Sequence, residues 1–139
     1  MEPFKPLAWS PQYTVHDTEL DTQHQKLFSI TNEVLALYEN GSAELLPSLR
    51  DLVEYLCTHI RSENKVMLDC DYPGYAAQNK QHVEFIDKLQ NFLKNYREED
   101  ENLTYNMLFY LHHWIYSHTI NMDLKYGQHL LHTRTVDKK

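Results

Sequence analysis

Four stretches of this chain carry apolar residues at helical spacing, and each places a histidine on its apolar face. His24 stands three and four residues before Leu27 and Phe28, and His59 is flanked by Leu56 and Ile60. His82 precedes Phe85 by three and Leu89 by seven, while His118 follows Trp114 by four. A polar ring on every buried face constrains the fold strongly, because a buried imidazole needs a partner.

The stretches predict an all-α protein, an antiparallel up-down-up-down four-helix bundle with an irregular N-terminal arm. The arm covers residues 1–18 and carries Trp9, Pro11 and Tyr13; helices are expected over about 20–38, 43–69, 75–97 and 103–126. Glu39-Asn40-Gly41 stops the first helix, and Ser42 is the expected N-cap of the second, with Pro47 near its first turn. Asp71-Tyr72-Pro73-Gly74 reads as a turn. Gly127 is expected to end the fourth helix, leaving His129 and His132 in a tail. Residues 1–139 read as one domain, since helices of about 20 residues, roughly 30 Å each, joined by short connections bury one continuous core.

A formal charge of −7 argues against nucleic acid, whose phosphates need cations, and against an anionic membrane surface. No apolar run approaches the ~20 residues of a spanning helix. Met1-Glu2-Pro3-Phe4-Lys5-Pro6 has neither the basic nor the apolar part of a secretory signal. The two cysteines, Cys57 and Cys70, lack CxxC spacing and read as reduced thiols, so a cytoplasmic location is expected.

His59 and Glu63 are four apart and share one helix face with Leu52, Leu56, Ile60 and Met67. Alone, such a pair is equally consistent with an exposed i,i+4 contact. His118 and Asp123 are five apart, roughly 140° around a regular helix, and so reach different sides of one cluster. His118 alone is also compatible with a core histidine satisfied by one hydrogen bond. Taken together, each helix contributes an inward imidazole, and two helices add an inward carboxylate. Burying these without partners costs of order 1–3 kcal/mol each, a penalty that a metal removes. Imidazole with carboxylate suits iron better than calcium or thiolate-bound zinc. His16, His112, His113, His129 and His132 read as surface residues. Tyr126, three past Asp123, is placed to support a ligand from behind.

The order and spacing of Asp21-x-x-His24, His59-x-x-x-Glu63 with Met67, Tyr72-Pro73, His82-x-x-Phe85 and Trp114-x-x-x-His118-x-x-x-x-Asp123-x-x-Tyr126 closely resemble the hemerythrin family, the single-domain bacterial members in particular. The resemblance runs from Trp9 to Tyr126. It implies two iron ions joined by an oxo or hydroxo bridge, with Glu63 and Asp123 as bridging carboxylates. His24 and His59 would ligate one iron, and His82 and His118 the other. It also implies reversible binding of molecular oxygen in an apolar pocket at Ile60, Trp114 and Ile115. The family has a further histidine four residues before His82, where this chain has Gln78. Three arrangements follow: Gln78 ligates through its amide oxygen, a water takes its place, or the second iron is loosely held. The loss of a strong nitrogen donor favours the water.

Storage, delivery or sensing of oxygen is therefore the expected role, with storage or delivery favoured because no output module accompanies the bundle. The electron donor is left unnamed. A di-iron redox enzyme, acting as an oxidase, as a peroxidase or on nitric oxide, is the alternative that Gln78 raises. No inward lysine or further carboxylate accompanies the ligands, which favours binding over catalysis.

Overall fold

A computed structural model describes residues 3–97 and 99–137, apart from the side chains of 135–137. A short 3₁₀ turn, Pro11–Tyr13, is followed by α1 (Thr18–Glu39), α2 (Leu45–Asp69), α3 (Tyr75–Lys94) and α4 (Glu101–Ser117). A five-residue π-turn, His118–Met122, then leads directly into α5 (Asp123–Asp137). Together α4, the π-turn and α5 form the fourth helix of a four-helix bundle, and the described residues contain no strand. None of the helices is long and apolar enough to cross a membrane.

The helix ends follow from local chemistry. Asp17 caps α1 by accepting from the Leu20 amide at 3.0 Å, and Asp100 caps α4 from Leu103 at 3.0 Å. Gly41, at φ 65°, closes α1: its amide reaches Tyr38 O and the Ser42 amide reaches Leu37 O. The same closure ends α2 with Asp71 at φ 53°. Ser42 is not the N-cap of α2. Its Oγ accepts from the Glu44 amide in the preceding turn, and the helix starts at Leu45 with Pro47 in its first turn. Helix α3 stops at Lys94 rather than 97, and α4 begins at Glu101, where Asp100 supplies the cap.

Gly127 does not end the fourth helix, which runs on to Asp137. A Cβ there would stand 2.7 Å from Val15 Cα, so glycine serves the close approach of α5 to the arm. Gly127→Ala should lower stability by about 1–3 kcal/mol through overpacking, measured as the shift of the urea midpoint. An unchanged midpoint would show that the arm yields freely.

The main core joins Leu27, Phe28 and Leu35 of α1 to Leu49, Leu52 and Leu56 of α2, Phe85 and Leu89 of α3, and Leu108, Leu111 and Ile115 of α4. Val15, Leu20, Met67 and Tyr126 make a smaller second core. Around it the Asp21 carboxylate holds Thr14 Oγ1 and, at 2.9 Å, the Val15 amide. Arg134 reaches back to the His16 carbonyl and, at 2.9 Å, to Asp17. The arm, α1, α2 and α5 thus close together over one side of the buried polar cluster.

Candidate metal centre

The polar cluster begins from helix geometry. On α2, His59 and Glu63 are one α-turn apart, which brings His59 Nε2 to 3.0 Å from Glu63 Oε1. On the fourth helix, His118 and Asp123 are five apart, and a regular helix would separate them by roughly 140°. The π-turn removes that separation: the Asp123 amide bonds His118 O, so i and i+5 sit one above the other. His118 Nε2 then lies 3.1 Å from Asp123 Oδ1. The expectation that the two face different sides fails because the helix is locally wider there.

From α1, His24 Nε2 stands 3.3 Å from Asp123 Oδ2 and 3.5 Å from Glu63 Oε2. From α3, His82 Nε2 stands 3.0 Å from His118 Nε2 and 3.7 Å from Glu63 Oε1. Asp123 therefore spans the cluster, one oxygen facing His24 and the other His118, while Glu63 turns Oε2 toward His24 and Oε1 toward His59 and, farther off, His82. All of these groups are at most 5% exposed. Two sets of donor atoms converge, Glu63 with His82, His118 and Asp123, and His24 with His59 and Glu63, and Glu63 belongs to both.

The outer faces of two rings fix their tautomers. His59 Nδ1 meets Gln23 Oε1 at 2.7 Å, and the Gln23 amide nitrogen is turned toward Ser62 Oγ at 3.4 Å. His82 Nδ1 meets Asn64 Oδ1 at 3.1 Å, and Asn64 Nδ2 in turn donates to Asn79. In both cases an amide oxygen accepts the Nδ1 proton, which leaves the Nε2 lone pair facing inward as a ligand requires. Sequence reasoning missed Gln23 and Asn64. Each is the residue next to an inward group (His24, Glu63) and reads as the polar flank of an apolar stripe.

Tyr126 is fully buried and donates its phenol proton to Glu63 Oε2 at 2.5 Å. Removing it in Tyr126→Phe takes away the one hydroxyl that orients Glu63. Metal should bind about 10- to 100-fold more weakly, measured by chelator competition. Unchanged affinity would mean that the histidines alone hold the carboxylate in place.

The electrostatics without a cation describe what the site needs. Burial would push the His24 imidazolium down, but the Asp123 and Glu63 carboxylates outweigh it and raise His24 to about 10. Burial likewise raises Glu63, yet His59 and His24 hold it well below the usual carboxylate range. Burial and the Glu63 charge raise Asp123, yet His118 and His24 bring it down. Burial lowers His82, while Asp123 keeps His118 up against burial. Burial and the two carboxylate charges drive the Tyr126 phenol well up, so it stays a donor. Two buried carboxylates thus stay ionised with the His24 imidazolium between them, a position that a metal ion would take over with His24 neutral.

The fit to a metal rests on orphaned atoms. His24 Nε2 is buried close to two carboxylate oxygens without forming a hydrogen bond to either, and Gln78 Oε1 is buried with no hydrogen-bond partner. Nitrogen and oxygen donors without thiolate suit a first-row transition metal. Neither Cys57 nor Cys70 joins the sets.

Ile60 and Ile115 are buried beside the cluster, at 8% and 1% exposure. Trp114 is half-buried, its ring stacked on Phe85 at 3.7 Å and on His118 at 4.2 Å. A groove of about 340 Å³ between α2 and α3, lined by Cys57, Ile60, Asn64, His82 and Val83, approaches the cluster from outside. The other histidines lie apart. His113 and His132 are exposed. His112 departs from the solvated-face expectation, because Nε2 is 2.7 Å from Lys5 O and the ring lies against Phe4, tying down the arm. His129 lies on α5 rather than in a tail, half-buried, with Nε2 2.9 Å from Cys70 O.

The profile of the hemerythrin HHE cation-binding domain matches residues 15–130. The chain is 30% identical to the hemerythrin of Themiste dyscrita, over 87% of this chain and 91% of that one. It is 27% identical to a hemerythrin of Sipunculus nudus, over 88% and 92% of the two chains. Similarity extends to the bacteriohemerythrin of Clostridium acetobutylicum, 23% identical over 86% of this chain and 97% of its relative.

Proposed function

Because this chain belongs to the hemerythrin family, we propose that it holds a bridged pair of iron ions between its helices and binds molecular oxygen reversibly there. The observation that carries this reading is the pair of buried donor sets sharing Glu63. His24 and His59 would hold one iron and His82 and His118 the other, with Glu63 and Asp123 shared between them. The two irons, when bound, supply the electrons that oxygen takes up and returns.

The chain's own residues set the conditions for that exchange. Gln23 and Asn64 hold His59 and His82 with their Nε2 lone pairs inward. Tyr126 holds Glu63 by a donated proton. Ile60, Trp114 and Ile115 keep water away, which favours return of the electrons and release of the molecule that bound over its irreversible breakdown. Two unpaired cysteines, Cys57 and Cys70, fit a reducing cytoplasm.

The test is metal analysis joined to a visible spectrum. About two irons per chain should accompany a charge-transfer band that appears with oxygen and disappears when oxygen is withdrawn. A second reading, redox turnover at the irons, rests on Gln78 standing where a histidine is expected. It gains if the reduced chain oxidises without a reversible band. A chain that takes up no metal would end both readings.

A further inference from the structure

The side chain that departs from the family pattern is not excluded from the site. Gln78 is fully buried on α3, four residues and one turn before His82. Its Nε2 donates to the Met122 carbonyl at 3.1 Å and to Asp123 Oδ1 at 3.3 Å. Both partners are acceptors: a main-chain carbonyl and a carboxylate. Reversing the amide would set Oε1 against two oxygens, so its orientation is fixed by chemistry.

That orientation leaves Oε1 as a buried acceptor with no donor among the described residues. Native proteins rarely keep such a group without a reason. Its position supplies one. The Asp123 oxygen that Nε2 touches is the one 3.1 Å from His118 Nε2, and His118 Nε2 lies 3.0 Å from His82 Nε2. The Gln78 amide therefore shares the Asp123 oxygen that faces His118, at the His82–His118 end of the cluster.

We infer that Gln78 is a metal ligand through Oε1, a neutral oxygen donor to the ion held by His82 and His118. The inference rests on the reading that this site holds metal. The glutamine side chain, rather than a water, would then fill the vacated histidine position. The amide would do two things at once: its oxygen would serve the ion, while its nitrogen holds the shared Asp123 carboxylate. The ion at this end consequently has one hard oxygen donor more than a site completed by a third imidazole.

The experiment loads the full chain with Zn(II) alone and determines its structure. Gln78 Oε1 should stand at bonding distance, about 2.0–2.2 Å. A water between Oε1 and the ion overturns the assignment. In parallel, Co(II) is titrated into the metal-free chain and into Gln78→Leu, with bound metal counted after dialysis. The Leu variant should bind the second ion at least about tenfold more weakly, and the first, which shares only the Asp123 carboxylate with Gln78, should lose much less. Equal affinity for both ions overturns the assignment while leaving the metal site intact. If Gln78→Leu does not fold, Gln78→His replaces it: two bound ions with an altered Co(II) spectrum are expected, and an unaltered spectrum overturns the assignment. A native chain that takes only one ion overturns the Gln78 assignment. One that takes none overturns the reading beneath it as well.

Discussion

Glu63→Ala should empty both halves of the centre at once. Glu63 is the one residue common to the two donor sets. Its Oε1 lies 3.0 Å from His59 Nε2 and 3.7 Å from His82 Nε2, and its Oε2 lies 3.5 Å from His24 Nε2. Among the described residues the other buried anion that touches the His24–His59 set is Asp123, which reaches only His24. Without Glu63, one carboxylate must serve four imidazoles, and the charge left to balance two divalent ions is halved. Bound iron should fall from about two per chain to a small fraction of one, measured by elemental analysis after dialysis. His59→Ala, by contrast, touches one set and should leave about one iron per chain. If Glu63→Ala keeps two irons, the carboxylate is not shared and the two sets are independent.

Removing the metal should lower the melting temperature by about 12–20 °C. Without an ion, Glu63 and Asp123 stay buried with only His24 brought to a charge between them, and Gln78 Oε1 stays without a hydrogen-bond partner. Binding to the folded state alone stabilises by about 4 kcal/mol when the free ion is a thousandfold above Kd. For a chain of this size each kcal/mol moves the midpoint by about 3–5 °C. Helix content at room temperature should hardly change, because the main apolar core contains none of the donor residues. Calorimetry of the loaded and stripped chains checks both points. Equal melting temperatures would mean that no ion is held tightly enough to matter.

The bundle was legible because helix periodicity survives in α1, α2 and α3, where apolar residues return every three or four positions. Inward histidines were legible for the same reason, being in phase with leucines and phenylalanines. The reading slipped in the fourth helix. Counted at 100° per residue from Leu111, Asp123 falls about 120° and Leu130 about 100° off the buried face. Both are nonetheless buried. Discounting the residue absorbed by the π-turn returns Asp123 to within about 20° and Leu130 to register. No side-chain pattern in His118–Met122 announces that turn. Gly127 misled in another way: glycine marks both helix ends and close backbone contacts, and only the position of Val15 tells them apart. Gln23 and Asn64 were invisible because a hydrogen bond to the outer nitrogen of a ring on another helix leaves no local trace.

The π-turn also hides a symmetry. In α2 an imidazole and a carboxylate meet at 3.0 Å across one α-turn, and in the fourth helix another such pair meets at 3.1 Å across one π-turn. His59-x-x-x-Glu63 and His118-x-x-x-x-Asp123 are thus one arrangement spelled with different numbers of residues. Each pair is joined by a single histidine from the helix preceding it in the chain, His24 on α1 and His82 on α3. The centre is an approximate duplicate of itself, α1 and α2 on one side, α3 and the fourth helix on the other. Gln78 has no polar counterpart in the first half, where the position four before His24 is Leu20.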